Sequence, residues 1–424
     1  MENEVVLGKE VSFDTKRKIS LRIVLNPFAI FSAVWILVPL VHLMDLTLVY
    51  PSLDTKTGLF LLSVILISLA LAVYYDKKFL KEREFVFFEN SKPSYLLIVS
   101  LYAMTVIECI YSKQVPLFNI RKSMSSYKDF GIPMVTFFAN LVFFALDGMS
   151  SVKMVYGEKK DFKGNLLVVL LTWFRFLLLY SRGNVLVCVL ITSIVFLSRQ
   201  KLTHRLVLMM VLAILIGLLG FNALGNIRMN SKWNDSSQII AIAQIRPQYY
   251  WLSSFSWGLV YIDTPLGNLL YNIKNVPPEY SVAGLFSQLL PDFLSKRIFP
   301  QYDSALFLAI ENLTVSSMFA GGYKYGGYFG MFLSFAELCL FILLFAHLTK
   351  DSFKEFLAAS ASLTVASFMS FFDNPISVSG CSFYVVLLFL FKFFDPQSVS
   401  PEMVQKLALL FRIPAWDVLD EELD

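Results

Sequence analysis

Apolar positions run along this chain in ten stretches, near 27–44, 58–75, 93–111, 130–150, 164–180, 183–198, 205–221, 328–348, 353–372 and 375–394. Each approaches the roughly 20 residues that an α-helix needs to cross a bilayer. The pattern predicts an all-α, polytopic integral membrane protein. A tight turn, Ser181-Arg182-Gly183, joins the fifth and sixth stretches. The organisation reads as a tail (1–26), seven spans (27–221), a long mixed insert (222–327), three spans (328–394) and a second tail (395–424). Within that last tail, 403–411 reads as a short interfacial helix.

Composition supports this. Charged residues make up 16% and apolar ones 56%, whereas soluble domains carry about 25% charge. The mean hydropathy is +0.63. A net charge of +4 is too small to imply nucleic acid. Cys109, Cys188, Cys339 and Cys381 fall in apolar stretches without metal or disulfide spacing, so no metal or cofactor is expected. The first apolar stretch is long enough to span, and it reads as an anchor rather than a cleaved signal.

Lysine and arginine orient such a bundle, because cytoplasmic loops collect them. More than half of the 36 fall in the two tails and in 77–92, 153–163, 199–205 and 350–354. That alternation places both termini in the cytoplasm and 222–327 outside. Residues 113–128, with Lys113, Arg121, Lys122 and Lys128, depart from it. The insert holds 11 of the 25 Trp and Tyr residues, which makes a mere linker a poor description. Its apolar runs at 239–245 and 305–310 are expected to lie on, or dip into, the membrane.

An ionisable group in hydrocarbon costs about 2.5–3.5 kcal/mol on the lenient insertion scale, so those that persist usually face the protein interior. Arg175 is the deepest, reading either as inward toward a partner or ligand, or as snorkelling outward. Glu108, Asp147, Glu337 and Asp373 are expected to pair with charges on neighbouring helices. Arg182 sits where the sixth helix begins, a place that favours an anion; contact with lipid headgroups is the plainer alternative. In the insert, Arg228, Arg246, Lys296, Arg297 and Lys324 are the cations available to a sugar diphosphate. Tyr249, Tyr250, Trp251, Trp257, Tyr261, Tyr323 and Tyr325 are platforms for sugar rings or members of an interfacial belt. Spacing does not choose an acid or base among Asp235, Asp263, Glu279, Asp292, Asp303 and Glu311. Asp303 and Glu311 are carried forward as the catalytic candidates.

Several of these features resemble the Wzy-type O-antigen, or oligosaccharide repeat unit, polymerases of bacterial inner membranes. The Ser181-Arg182-Gly183 turn looks like their SRG element. Arg228 in Gly225-Asn226-Ile227-Arg228 resembles the arginine that follows the span entering their long periplasmic loop. Tyr261-Ile262-Asp263-Thr264-Pro265-Leu266-Gly267-Asn268 resembles a Tyr, Pro and Asn element in that loop. Asn312-Leu313-Thr314 and Tyr325-Gly326-Gly327-Tyr328-Phe329-Gly330 are similar to its polar stretch and glycine-rich return to the membrane. The resemblance spans 165–335. It implies a GT-C-like fold of ten to twelve transmembrane helices with one large periplasmic loop. The implied activity joins undecaprenyl-diphosphate-linked oligosaccharides, as donor and acceptor, without metal. Arg182, Arg228 and Arg246 would hold the donor diphosphate, and Arg175, Arg297, Tyr323, Lys324, Asn268 and the loop aromatics would contact substrate. Membrane lipids and a chain-length regulator are the further partners it implies.

Two rivals are weighed against that reading. O-antigen ligases share the architecture but usually carry a histidine in the large loop. The insert has none, and among His42, His204 and His347 only His42 lies near the outer face. Flippases for lipid-linked sugars place their sites at the midplane between repeats, and no internal repeat is visible.

Overall fold

The computed structural model describes residues 22–81, 91–119, 130–132, 134–303, 306–311, 313–378 and 382–394. Among them the α-helices are, in order, α1 (Pro27–His42), α2 (Thr55–Tyr75), α3 (Tyr95–Ser112), α4 (Val135–Tyr156), α5 (Phe162–Leu178), α6 (Arg182–Arg199) and α7 (His204–Arg228). There follow α8 (Ser237–Ile242), α9 (Ser256–Asn275), α10 (Val282–Leu289), α11 (Asp292–Ile298), α12 (Phe319–Thr349), α13 (Phe353–Met369) and α14 (Tyr384–Phe394). The described residues form no strand, and one isolated bridge joins Thr47 to Ile245. The chain is all-helical.

Each of the ten apolar stretches contains a helix, though in 375–394 the described helix covers only Tyr384–Phe394. Five are long and apolar enough to cross a membrane: Thr55–Leu80, Tyr95–Ser112, Val135–Tyr156, His204–Arg228 and Phe319–Thr349. The other five, α1, α5, α6, α13 and α14, run from 11 to 18 residues. Helix starts follow local chemistry. Asn26 accepts from the Ala29 amide ahead of Pro27, and Asp54 accepts from the amide (2.9 Å) and hydroxyl (2.6 Å) of Thr57. Thr203 caps α7 through the Leu206 amide. Such caps are each worth about 1 kcal/mol.

The core forms around α13, which is buried on all sides from Glu355 to Ser367. Ala358, Ala359, Ser360, Ala361 and Ser362 are small, and small side chains let backbones approach where lipid removes the hydrophobic drive between helices. α1, α4, α6, α12 and α14 pack against it. By contrast, α7 exposes apolar side chains around its circumference, including Leu208, Ile214, Ile216 and Leu224, and packs mainly on α9.

The insert differs from its expected form: it is folded into α8 to α11. α7 keeps its hydrogen-bond ladder through the polar turn to Arg228, beyond the last apolar residue. α12 starts at Phe319 and kinks at Gly327 (φ 57°, ψ −145°), a conformation that glycine permits. The run 239–245, expected on the membrane, turns one side to protein while Ala241 and Gln244 stay exposed. Ile239, Ala243 and Ile245 pack with Tyr50, Trp257 and Val260 in a second apolar cluster that Ile310 and Leu313 complete. Residue 305 of the other expected surface run lies outside the described residues.

Candidate functional site

Two amides one turn apart on α9 organise the ground for a site. Asn268 donates to the carbonyls of Leu313 (3.0 Å) and Val315 (2.8 Å) and accepts from the Ala309 amide (3.2 Å). Asn272 donates to Phe307 O (2.7 Å) and accepts from Phe307 N (3.2 Å). The described part of 306–318 has no regular structure, so these side chains stand in for a partner strand. The segment is tied at its far end by Met318 N to Ser370 O (2.9 Å).

This segment forms one wall of a cavity of about 280 Å³. Gln288 of α10, the first turn of α12 and the α13–α14 connection close it. α11 is pinned to that connection by Asp292 N to Ser377 O at 2.8 Å. The lining is mixed: Thr314, Ser316, Ser317, Asp373, Asn374 and Ser377 supply polar groups, and Leu306, Leu308 and Met318 apolar ones. The Ser317 hydroxyl, on a residue 2% exposed, has no hydrogen-bond partner. Asp373 Oδ1 accepts from the Asn374 amide at 2.8 Å. Asp373 lines the cavity as an exposed residue by surface area, although many protein atoms lie around its carboxyl. Desolvation, helped by the neighbouring Asp292 charge and opposed by the Asn374 amide, pushes its pKa up to about 6.

A second feature at this end joins the bundle to the insert. His42 Nδ1 meets Asp263 Oδ1 at 2.6 Å and Nε2 meets the Pro51 carbonyl at 3.0 Å, with both side chains buried. With acceptors at both ring nitrogens, the arrangement suits an imidazolium donating to each. Beside it lies a smaller cavity of about 190 Å³, lined by Asp45, Thr47, Tyr50 and others.

The residues singled out from sequence are dispersed. Arg182 opens α6, and its side chain lies outside the described residues. Arg228 ends α7, exposed, and Arg297 is exposed on α11. Arg246 pairs with Asp45 at 2.6 Å. Tyr249 donates to the Met44 carbonyl, while Tyr250 and Trp251 are 48% and 77% exposed, free to meet a ligand or lipid. Tyr261 stacks on Phe372, and Tyr323 is buried with its hydroxyl toward Ile273 O and Val276 O. Lys324 pairs with Asp303 at 2.6 Å, and Glu311 is exposed. None of them lines the larger cavity.

The ionisable groups of the apolar helices meet different fates. Arg175 is fully buried, with Nη2 on Glu108 at 2.7 Å and Nε on the Thr105 hydroxyl at 2.7 Å, so the expected pair for Glu108 is present. Asp147 does not form its expected ion pair. It accepts from Trp173 Nε1 (3.0 Å) and lies 3.5 Å from the Thr192 hydroxyl, because indole and hydroxyl donors are what α5 and α6 present there. Glu337 faces Asn374, and Asp373 faces the cavity, neither in an ion pair among the described residues. Asp373 was weighed from sequence only as a helix-end carboxylate. Nothing in the local sequence links it to Ser317. Comparison with known proteins finds no matching family model, no matching curated protein and no matching solved structure.

Proposed function

We propose that this chain is a membrane glycosyltransferase that joins oligosaccharide repeat units carried on a polyprenyl diphosphate, as a repeat-unit polymerase does. The observation that carries this reading is the cavity enclosed between the inserted helices and the start of α12. A lipid-linked sugar presents tail, diphosphate and glycan in sequence. The chain offers apolar helix faces, arginines at helix ends (Arg182, Arg228) and a hydroxyl- and amide-lined pocket as their counterparts. Positioning and fixed charge supply most of the rate in such a transfer. The loop charges support cytoplasmic termini and a periplasmic insert in a bacterial inner membrane.

The ligase reading gains one specific observation, since a histidine from outside the insert, His42, is brought to it at Asp263. Both ring nitrogens are occupied there, which favours a tie between α1 and α9 over a base.

The test is a gel of surface polysaccharide from a deletion strain carrying wild type or Arg182 variants, at matched membrane protein levels. Wild type restores long chains, and Arg182→Ala leaves single repeat units on the lipid core. Arg182→Lys keeps charge but loses the planar fork, costing roughly ten- to a hundred-fold in rate. Long chains in the uncomplemented strain would overturn the reading, and loss of even the single-repeat band would indicate a ligase or flippase.

A further inference from the structure

The cavity carries more than a general location. We infer that it binds the acceptor sugar of the transfer and that Asp373 is the base that takes the proton from the attacking hydroxyl. This rests on the glycosyl-transfer reading above and selects one carboxylate for a role that chain spacing left open.

Three observations converge. First, the described residues of the cavity lining include no lysine or arginine, and Asp373 is the one ionisable group among them. A diphosphate would be repelled there, while a neutral polyhydroxylated ligand would find Gln288, Thr314, Ser316, Ser377 and Asn374 as partners. Second, Ser317 lines the cavity, and its hydroxyl is covered by protein with no partner. Such an orphan costs free energy that rotation of the side chain toward a ligand hydroxyl would recover. Third, the volume of about 280 Å³ sits just below the range of roughly 300–1,000 Å³ typical of drug-sized ligand sites. It accommodates a sugar ring rather than a whole repeat unit, which suits recognition of one terminal residue.

Asp373 is equipped for the base role. One oxygen is held by the Asn374 amide, and no hydrogen bond from a described residue occupies the other. Among the described residues the charge that acts on it is that of Asp292 on α11, which itself pairs with Lys296 at 3.5 Å; Glu337 on α12 is linked to it only through Asn374. Repulsion and desolvation raise its proton affinity toward the working pH, which improves a carboxylate as a general base. In the step itself, the acceptor O–H proton passes to Asp373 as its oxygen bonds to the donor anomeric carbon. The bond from that carbon to the diphosphate oxygen breaks, and the lipid diphosphate leaves with the electron pair. The proton is then released to water.

The experiment uses full-length enzyme in detergent with lipid-linked repeat units extracted from the deletion strain's membranes. Wild type is expected to form polymer, and Asp373→Asn to slow it roughly 10²- to 10⁴-fold, the usual contribution of a general base. Thr314→Trp, which fills the cavity from an exposed position without touching Asp373, is expected to raise the acceptor KM at least tenfold and leave folding intact. Size-exclusion profiles report folding, and if Asp373→Asn does not fold, Thr314→Trp decides alone. A polymerising wild type with Asp373→Asn within threefold of it, or Thr314→Trp with unchanged KM, overturns the acceptor site and leaves the polymerase reading standing. No polymer from wild type, with long chains still made by the deletion strain, overturns both.

Discussion

The Glu108–Arg175 pair sets a quantitative test of how this bundle tolerates charge. Both side chains are 0% exposed, and one 2.7 Å contact joins Arg175 Nη2 to Glu108 Oε2. At an effective dielectric near 20, that contact is worth about 6 kcal/mol of gross attraction. Removing two ions from water costs several kcal/mol each, so the net benefit over an apolar pair is near zero. The geometry is also incomplete, because Arg175 Nη1 and Glu108 Oε1 have no hydrogen-bond partner. Removing one partner is different: it strands a charge, at about 3–5 kcal/mol. The two single variants should not match. A guanidinium cannot shed its proton, while a stranded carboxyl neutralises by gaining one. Glu108→Leu should therefore lose more stability than Arg175→Met, and the double variant should recover to near wild type. The assay is the temperature at which the monodisperse fraction of detergent-solubilised protein falls by half. A double variant no better than Glu108→Leu, or an Arg175→Met equal to it, would refute this reasoning. Polysaccharide made by the double variant would also show that Arg175 is not a substrate ligand.

Asn268→Ala strands three backbone groups of 306–318 at about 1–3 kcal/mol each. Amide hydrogen exchange should accelerate in that segment while α13 stays protected, and unchanged exchange would count against its scaffolding role. A side chain at Gly225 would meet the Trp257 ring, at 2.6 Å for Cβ alone. Gly225→Val should thus loosen α7 from α9, read as faster proteolysis near 229–236, whereas wild-type resistance would contradict the packing. Asp373 binds its proton more tightly folded than unfolded, so between about pH 4 and 6 the native state holds more protons and stability falls as pH rises. Asp373→Asn should consequently stabilise the protein at pH 8 and not at pH 4, and equal shifts at both would refute the burial argument. For orientation, Asn234→Cys and Ser281→Cys in a cysteine-free background should react with an impermeant thiol reagent in spheroplasts. Lys159→Cys should react only after lysis, and the reverse pattern inverts the topology.

What local pattern could reveal and what it could not divide along physical lines. The ten helices of the apolar stretches were legible, because a bilayer-length apolar run admits little other than a helix. The insert's helices were not, since their periodicity is masked by residues buried for hydrogen bonding rather than apolarity. Asp263, Asn268 and Asn272 all lie on the covered side of α9. Asn268 was picked out as a substrate ligand, and the structure occupies its amide with Leu313, Val315 and Ala309 instead. The cavity was invisible for a related reason. Gln288, Ser317 and Asp373 come from three separated segments, and their meeting depends on long-range ties such as Asp292 N to Ser377 O.

Positive backbone angles on non-glycine residues collect at one end of the described fold. The described non-glycine residues with positive φ are Asp45, Lys113, Met134, Tyr180, Asn230, Gln244 and Tyr280. Every one lies in a connection at the end that carries the insert, and none in the described turns at the opposite end. Asp and Asn tolerate that backbone, but Lys, Met, Tyr and Gln gain nothing from it and hold strain of about 1–3 kcal/mol. The orphaned Ser317 hydroxyl and the desolvated Asp373 carboxyl sit at the same end. A fold shaped for stability alone would replace such groups, by glycine at the turns and by apolar side chains in the cavity.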